Sequence, residues 1–145
     1  MPARFPHRYT ATLVRVGRSL ASIEAPPRPP LVGSPPPDFG GPADRWSPEH
    51  LLLSALGLCL YTTFEALATK DELELLAWRS EVEGVLDRTA SGLAFTSFVV
   101  RVELASSDID RARTVLERAK RQCIVTNALC VPVAIDATFA DARAA

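Results

Sequence analysis

A single apolar run constrains what this chain can fold into more than any other feature. Most residues from 51 to 68 are apolar, and Ser47 and Pro48 stand just before them. This pair indicates a helix start, because a serine oxygen can accept an unpaired backbone N–H and proline's fixed φ suits the first helical position. A helix that is apolar on nearly every face cannot lie on a surface with one side in water. The sequence therefore predicts a central helix over residues 48–69, surrounded by the rest of the chain and by a second copy of it.

The same run is long enough to suggest a transmembrane helix instead. It contains Ser54, Thr62, Thr63 and Glu65, and no basic residue follows it until Lys70. These polar positions favour a core helix over a membrane span. A net charge of −1, from 16 basic and 17 acidic residues, leaves no electrostatic footprint for nucleic acid or for an anionic membrane. We therefore expect neither nucleic acid nor a membrane among the partners.

The cysteine content points to free thiols. The N-terminal residues include no apolar signal region, which favours a cytoplasmic, reducing location. In that compartment Cys59, Cys123 and Cys130 are buried thiols or redox groups rather than a disulfide framework. Zinc is disfavoured, because no C-x-x-C motif occurs and only His7 and His50 could complete a site. We expect no bound metal or cofactor.

The remaining segments alternate between strand, loop and helix patterns. Alternating side chains predict two N-terminal strands joined by a tight turn, and eight prolines after them exclude a regular helix or central strand, apart from a short strand around 31–33. This order predicts an α+β fold with antiparallel sheets in one domain, residues 1–145. Its segments are an N-terminal hairpin (8–25), a proline-rich loop (26–47), the central helix (48–69) and a ββαβ unit (76–139).

Two of the cysteines fall on inward-facing helix positions. Cys59 lies near the middle of the central helix, and Cys123 lies fourteen residues after Ile109, close to four helical turns, on the apolar stripe of a second helix. If the two helices pack together, the sulfurs come within disulfide reach, which requires Cα atoms no more than about 7 Å apart. Two inert structural thiols are the alternative.

At this point the sequence resembles the osmotically inducible protein C and organic hydroperoxide resistance (OsmC/Ohr) family. The resemblance runs from about Arg8 to Phe139 and implies an intertwined α+β homodimer. It further implies reduction of organic hydroperoxides by a cysteine pair, with a dithiol such as dihydrolipoamide as co-substrate. The motifs that carry it are Gly40-Gly41-Pro42, Ser47-Pro48-Glu49 with Leu51-Leu52, Ala55 to Cys59, and Ala119-Lys120 followed by Cys123 to Leu129.

Site residues follow from the resemblance by position. It assigns Cys59 as the peroxidatic cysteine and Cys123 as the resolving one, with Glu49 and an arginine of the N-terminal hairpin completing the site. Arg18, at the predicted hairpin tip, is the candidate arginine. Two other arginines could take its place, Arg15 and Arg45. The chain departs from the family pattern at Ile124 and Thr126, in a segment where the family commonly has Cys-Pro-x-Ser, and this leaves the subfamily open.

Elementary chemistry fits these roles. A thiol buried among leucines has a raised pKa, so Cys59 needs a nearby cation to form the thiolate that attacks a peroxide. An arginine supplies that charge, and the Glu49 carboxylate can hold the guanidinium in place. Cys123, at the C-terminal end of its helix, suits resolution better than attack, because the negative end of a helix disfavours a thiolate. A disulfide between Cys59 and Cys123 would protect the sulfenic acid from overoxidation.

Helix geometry favours a composite site in a dimer. Glu49 and Cys59 are ten residues apart, which separates them by about 15 Å along the helix axis and by roughly 80° in direction. A two-fold dimer with antiparallel central helices would place Glu49 of one subunit near Cys59 of the other. Helix-start acidic residues are also favoured without any function, so Glu49 has a purely structural interpretation as well.

Substrate and alternative functions are open at this point. An apolar wall would favour alkyl or lipid hydroperoxides over hydrogen peroxide. A hot-dog-like acyl-thioester hydrolase would share the wrapped-helix plan, with Glu49 or Glu65 as its acidic residue. A non-catalytic OsmC-like stress or binding dimer would leave the cysteines inert. The residues proposed for the apolar wall are Leu52, Leu56, Leu58, Leu60 and Phe64.

Overall fold

The computed structural model describes residues 4–141 and divides at Leu51 into two compact units. The order of elements is three short strands, a long helix, two long strands, two further helices and a last strand. A three-residue 3-10 helix, Pro37–Phe39, lies between β3 and α1. The bounds are β1 Thr12–Gly17, β2 Leu20–Glu24, β3 Leu31–Gly33, α1 Pro48–Lys70, β4 Leu75–Thr89, β5 Gly92–Ser106, α2 Ile109–Gln122, α3 Ile124–Ala128 and β6 Val133–Asp141.

The first unit is an antiparallel three-stranded sheet followed by the proline-rich loop. The β1–β2 hairpin turns through Arg18 and Ser19, and Ser19 takes a positive φ of 58°. Strand β1 begins at Thr12, four residues after the predicted start at position 8. The loop folds back on the sheet, because the Ser34 N–H donates to the Trp46 carbonyl at 2.9 Å. The proline-rich segment therefore has a fixed path rather than that of a free spacer.

Helix α1 starts at the Ser-Pro pair. The Ser47 hydroxyl accepts the backbone N–H of His50 at 3.2 Å and lies 2.7 Å from the His50 ring Nδ1. The Ser47 carbonyl accepts the first helical bond, from Leu51 N–H at 2.9 Å. Ser47 is buried, so this cap satisfies groups that water cannot reach. The predicted helix over 48–69 corresponds to α1, Pro48–Lys70.

The core of the second unit forms where one face of α1 meets β5 and α2. Phe64 and Val100 are fully buried, and Ala112 on α2 is equally inaccessible. By length and composition α1 could also cross a membrane, with a mean hydropathy of 1.7 over its most apolar window, of which 28% is buried. Burying one face against strands and a second helix is how a core helix behaves. On another face, Leu58 is 63% exposed in the single chain.

The second sheet is mixed, which corrects the prediction of antiparallel sheets. Strands β4 and β5 form a long antiparallel pair, whereas β5 and β6 run parallel, with Phe98 opposite Val133. The reason is the crossover through α2 and α3, which returns the chain to the same end of the sheet. Pro132 immediately precedes β6, an edge strand, where its missing N–H disrupts no ladder.

Helix α2 is capped at its N-terminus by Asp108. The Asp108 side chain accepts the Arg111 N–H at 3.1 Å. The predicted α+β class, with a long helix, a second helix and sheets, is confirmed. The homodimer stays a prediction, and so does the single-domain assignment for residues 1–145. Helix α3 was not predicted, and it follows Cys123 directly.

Candidate active site

Two thiols meet in the second unit. Cys59 lies on α1 and is partly buried, while Cys123 lies between α2 and α3 and is fully buried. The Cys123 thiol is in hydrogen-bond contact with the Cys59 sulfur, and both cysteines are free rather than linked. The fold thus brings together the two cysteines that the sequence singled out.

The pKa of Cys59 is lowered in spite of partial burial. Burial acts to raise the pKa, but hydrogen bonds from the Val125 N–H, the Cys123 thiol, the Ile124 N–H and the Thr63 hydroxyl outweigh it. Each of these donors stabilises a negative sulfur, so together they favour the thiolate. The sequence predicted a guanidinium for this task, whereas in the second unit hydrogen bonds alone already lower the pKa.

The pKa of Cys123 moves the other way. Burial raises the pKa of this thiol most, the hydroxyl and N–H of Thr126 oppose the rise, and the hydrogen bond to Cys59 and the charge on Cys59 raise the pKa further. The pair therefore titrates in two coupled steps, in which Cys59 is the first to lose its proton and Cys123 the last. The site thus has one more acidic and one less acidic thiol, an asymmetry that suits nucleophilic attack by the first and resolution by the second.

Helix α3 supplies the backbone donors because it starts immediately after Cys123. Its first helical bond runs from the Asn127 N–H to the Cys123 carbonyl at 3.0 Å. The three N–H groups before Asn127 have no partner inside the helix. Those of Ile124 and Val125 contact the Cys59 sulfur, and that of Thr126 contacts Cys123. All three free amides of this turn therefore point to sulfur.

These donors were missed by sequence reasoning. A backbone amide leaves no mark in side-chain chemistry, so Ile124 and Val125 looked like ordinary apolar residues. The available signal was that they directly follow Cys123, which a helix starting at that point would convert into two donors. Thr63 could have been found by spacing, since it lies four residues after Cys59 on the same helix face.

The other predicted residues lie in the first unit. Arg18 is exposed in the β1–β2 turn, and Arg45 is exposed in the loop. Arg15 and Glu49 line a cavity of about 770 Å³ with mostly apolar walls. The Glu49 Oε2 atom is buried and has no hydrogen-bond partner among residues 4–141. Within the described part of the first unit no arginine pairs with Glu49, so its predicted ion pair is not formed in the single chain.

The remaining candidates fall outside the thiol pair. Cys130 is exposed in the connection between α3 and β6. Glu65, the alternative acidic residue, accepts a hydrogen bond from the Tyr61 hydroxyl at 3.1 Å. Within the described residues no group of three or more His, Cys, Asp and Glu side chains is placed to hold a metal ion.

The chain has an α+β fold, and two of its free cysteines are in contact, with pKa values shifted in opposite directions. These features together define a protein with a paired-thiol site. The family model described as OsmC-like protein matches residues 41–137. The chain belongs to the OsmC-like protein family.

Individual relatives are distant in sequence and close in fold. The uncharacterized protein YmaD of Bacillus subtilis is 24% identical over 100 residues, which are 65% of this chain and 67% of that protein. An OsmC-like protein of unknown function from Vibrio cholerae has a TM-score of 0.82 at 15% identity, covering 92% of this chain and 100% of that one. An organic hydroperoxide resistance protein from Elizabethkingia anophelis has a TM-score of 0.74 at 14% identity, covering 94% and 99%. The organic hydroperoxide resistance protein OhrB of Bacillus subtilis has a TM-score of 0.66 at 18% identity, covering 91% and 98%.

Proposed function

We propose that the protein is a cysteine-based peroxidase that reduces organic hydroperoxides, with Cys59 as the peroxidatic and Cys123 as the resolving residue. The observation that carries the proposal is the contact between the two thiols, whose pKa values move in opposite directions. Membership of the OsmC-like family supports it, as does the likeness in fold to two proteins named for organic hydroperoxide resistance.

The reaction has three balanced steps. The Cys59 thiolate attacks the terminal peroxide oxygen, the O–O bond breaks, and the alkoxide takes up a proton and leaves as an alcohol. Cys123 then attacks the sulfur of the Cys59 sulfenic acid, so that an S–S bond forms, the S–O bond breaks and hydroxide leaves as water with the Cys123 proton. An external dithiol, for which dihydrolipoamide is our candidate, exchanges with the disulfide and restores both thiols.

The proposed substrates are organic hydroperoxides rather than hydrogen peroxide. Of the five apolar residues that the sequence suggested as a substrate-binding wall, fewer are accessible to a substrate than expected. Leu56, Leu60 and Phe64 belong to the buried core and have no accessible surface for a substrate. Leu58 is exposed and Leu52 is partly buried, so these two remain for contact with an alkyl chain. An apolar contact would favour alkyl hydroperoxides by removing hydrocarbon surface from water.

We propose that the protein is a cytoplasmic homodimer with composite sites. In each site, Glu49 and an arginine of the N-terminal hairpin would complete the thiol pair. Leu13 and Trp46 of the first unit are apolar and exposed in the single chain. Their exposure supports the proposal that a second subunit packs against the first unit. The Glu49 carboxylate oxygen has no partner among residues 4–141, which supports a guanidinium partner from a second subunit.

The test is turnover of tert-butyl hydroperoxide and hydrogen peroxide with dihydrolipoamide as reductant. Cys59→Ser should abolish turnover, Cys123→Ser should allow one oxidation and then stop, and the exposed Cys130→Ser serves as the matched control that keeps activity. Faster turnover of hydrogen peroxide than of the organic peroxide would remove the substrate assignment. Full activity in Cys59→Ser would remove the mechanism.

The same variants separate the alternative functions. Acyl-CoA hydrolysis that survives Cys59→Ser and is lost in Glu49→Gln would favour the acyl-thioester hydrolase. Absence of both reactions, with Cys123→Ser altering stability alone, would favour the non-catalytic dimer.

A further inference from the structure

The Thr126 side chain is unusual in its surroundings. Its hydroxyl oxygen is buried and has no hydrogen-bond partner among residues 4–141. Buried hydroxyl groups are nearly always paired, because an unpaired one loses its bonds to water without replacement. The nearby group on which this hydroxyl acts is the Cys123 thiol, whose pKa it lowers. The hydroxyl is therefore an unpaired donor beside a sulfur that becomes negative when it ionises.

Thr126 offers that sulfur two donors. Its hydroxyl and its backbone N–H both act on Cys123. Each lowers the pKa of the Cys123 thiol, whereas burial raises that pKa. Thr126 is the third residue of α3, whose N-cap is Cys123, and this position brings its N–H close to Cys123, although the Cys123 side chain does not form a cap hydrogen bond. The hydroxyl is the part of this arrangement that depends on the identity of the side chain.

We propose that Thr126 is a positioning residue for the resolving step, in which its hydroxyl holds the Cys123 sulfur beside Cys59 and stabilises the sulfur as it becomes a thiolate. This inference rests on the proposed peroxidase function and adds to it a residue that acts on the second chemical step.

The two steps place different demands on Thr126. In the reduced pair Cys123 keeps its proton, because the negative sulfur of Cys59 opposes a second charge nearby. Once Cys59 is a sulfenic acid that charge is gone, and burial is the main obstacle to ionising Cys123. The Thr126 hydroxyl then donates to the developing thiolate while the S–S bond forms and the S–O bond breaks. The Cys123 proton leaves with hydroxide as water, and Thr126 keeps its own proton.

A slow resolving step has a chemical cost that can be measured. The Cys59 sulfenic acid is open to a second peroxide molecule, which oxidises it to the sulfinic acid with release of a second alcohol. Loss of the Thr126 hydroxyl should therefore increase sulfinic acid on Cys59 at high peroxide.

The experiment compares Thr126→Val, which keeps the shape and removes the hydroxyl, with Thr126→Ser, which keeps the hydroxyl. In single turnover with tert-butyl hydroperoxide, Thr126→Val should form the Cys59–Cys123 disulfide about tenfold more slowly, the loss expected for one hydrogen bond to a charged group. Its sulfenic acid should form at the rate of the natural protein, and Thr126→Ser should restore resolution. Equal resolution rates in the valine variant and the natural protein would overturn the proposal.

A second measurement needs no peroxidase activity. In a Cys59→Ser background, alkylation of Cys123 by iodoacetamide should shift to higher pH in Thr126→Val and not in Thr126→Ser, with Thr126→Ala as a second hydroxyl-free variant. Circular dichroism checks that each variant is folded. An unchanged pH profile in both hydroxyl-free variants overturns the role of Thr126 whether or not the protein proves to be a peroxidase, and a shifted profile with no turnover removes the proposed function alone.

Discussion

The Cys123 thiol lies in hydrogen-bond contact with the Cys59 sulfur, and that contact moves the two pKa values in opposite directions. The contact lowers the pKa of Cys59, which accepts the hydrogen bond, and raises the pKa of Cys123, which donates it. The asymmetry comes from position, since the free amides of α3 at Ile124 and Val125 face Cys59 while burial dominates at Cys123. Attack and resolution are thereby divided between two residues of the same type.

The division predicts an order of alkylation. Cys59 has the lowered pKa, so its reaction with iodoacetamide should begin at lower pH than that of Cys123, because the thiolate is the reacting species. Below the pKa of Cys59 its rate should fall about tenfold for each pH unit. Mass spectrometry of peptides containing each residue measures both profiles.

The control is the protein unfolded in guanidinium chloride, where the profiles of Cys59 and Cys123 should converge. Identical profiles in the folded protein would contradict the asymmetry of the pair.

Removing a single backbone N–H tests the amide donors. Ile124→Pro deletes the N–H at the first position of α3, where proline is tolerated, and Cys123 before it is already extended with ψ 112°, as a residue preceding proline should be. The side chain of Ile124 is 77% exposed, so little packing is lost. We expect a higher Cys59 pKa and roughly tenfold slower alkylation of Cys59 at neutral pH.

Ile124→Ala is the matched control, because it removes the same side chain and keeps the N–H. If the proline and alanine variants alkylate at the same rate, the Ile124 amide does not stabilise the thiolate.

The proline-rich loop should depend on one glycine. A Cβ added at Gly41 would lie 1.7 Å from the Pro35 carbonyl oxygen, and no side-chain rotation can relieve an overlap with backbone. Gly41→Ala should lower the free energy of unfolding by about 1–3 kcal/mol, the usual cost of overpacking. Urea unfolding followed by tryptophan fluorescence measures the change. The exposed Ala43→Ser in the same loop should behave like the natural protein, and an equally stable Gly41→Ala would show that the loop takes another path.

The positions of the candidate arginines in the first unit favour one of them over the other. Arg15 lines the same cavity as Glu49, whereas Arg18, which the sequence favoured, lies in the exposed turn. If the cavity contributes to the site, Arg15→Ala should reduce kcat/KM for an organic hydroperoxide by about a hundredfold to a thousandfold, the range for losing one preorganised donor at a reacting centre. Arg18→Ala is the matched comparison. A larger loss in Arg18→Ala would restore the turn residue as the candidate.

Much of this architecture could be predicted because it depends on side-chain pattern. The apolar run and its Ser47 cap predicted the central helix. The inward helix positions of Cys59 and Cys123 predicted that the two thiols could meet. The parallel return of the last strand could not be predicted, since strand direction depends on the crossover rather than on alternation. The donors to Cys59 could not be predicted either, because the backbone of Ile124 and Val125 donates, and only the start of α3 reveals it.

The most direct test of the account is mass spectrometry of the protein after one equivalent of tert-butyl hydroperoxide, with free thiols blocked on quenching. We predict an intramolecular disulfide between Cys59 and Cys123 in the natural protein and in Cys130→Ser, and a sulfenic acid on Cys59 in Cys123→Ser. Recovery of both cysteines as blocked thiols, or a link that involves Cys130 in place of Cys123, would contradict it.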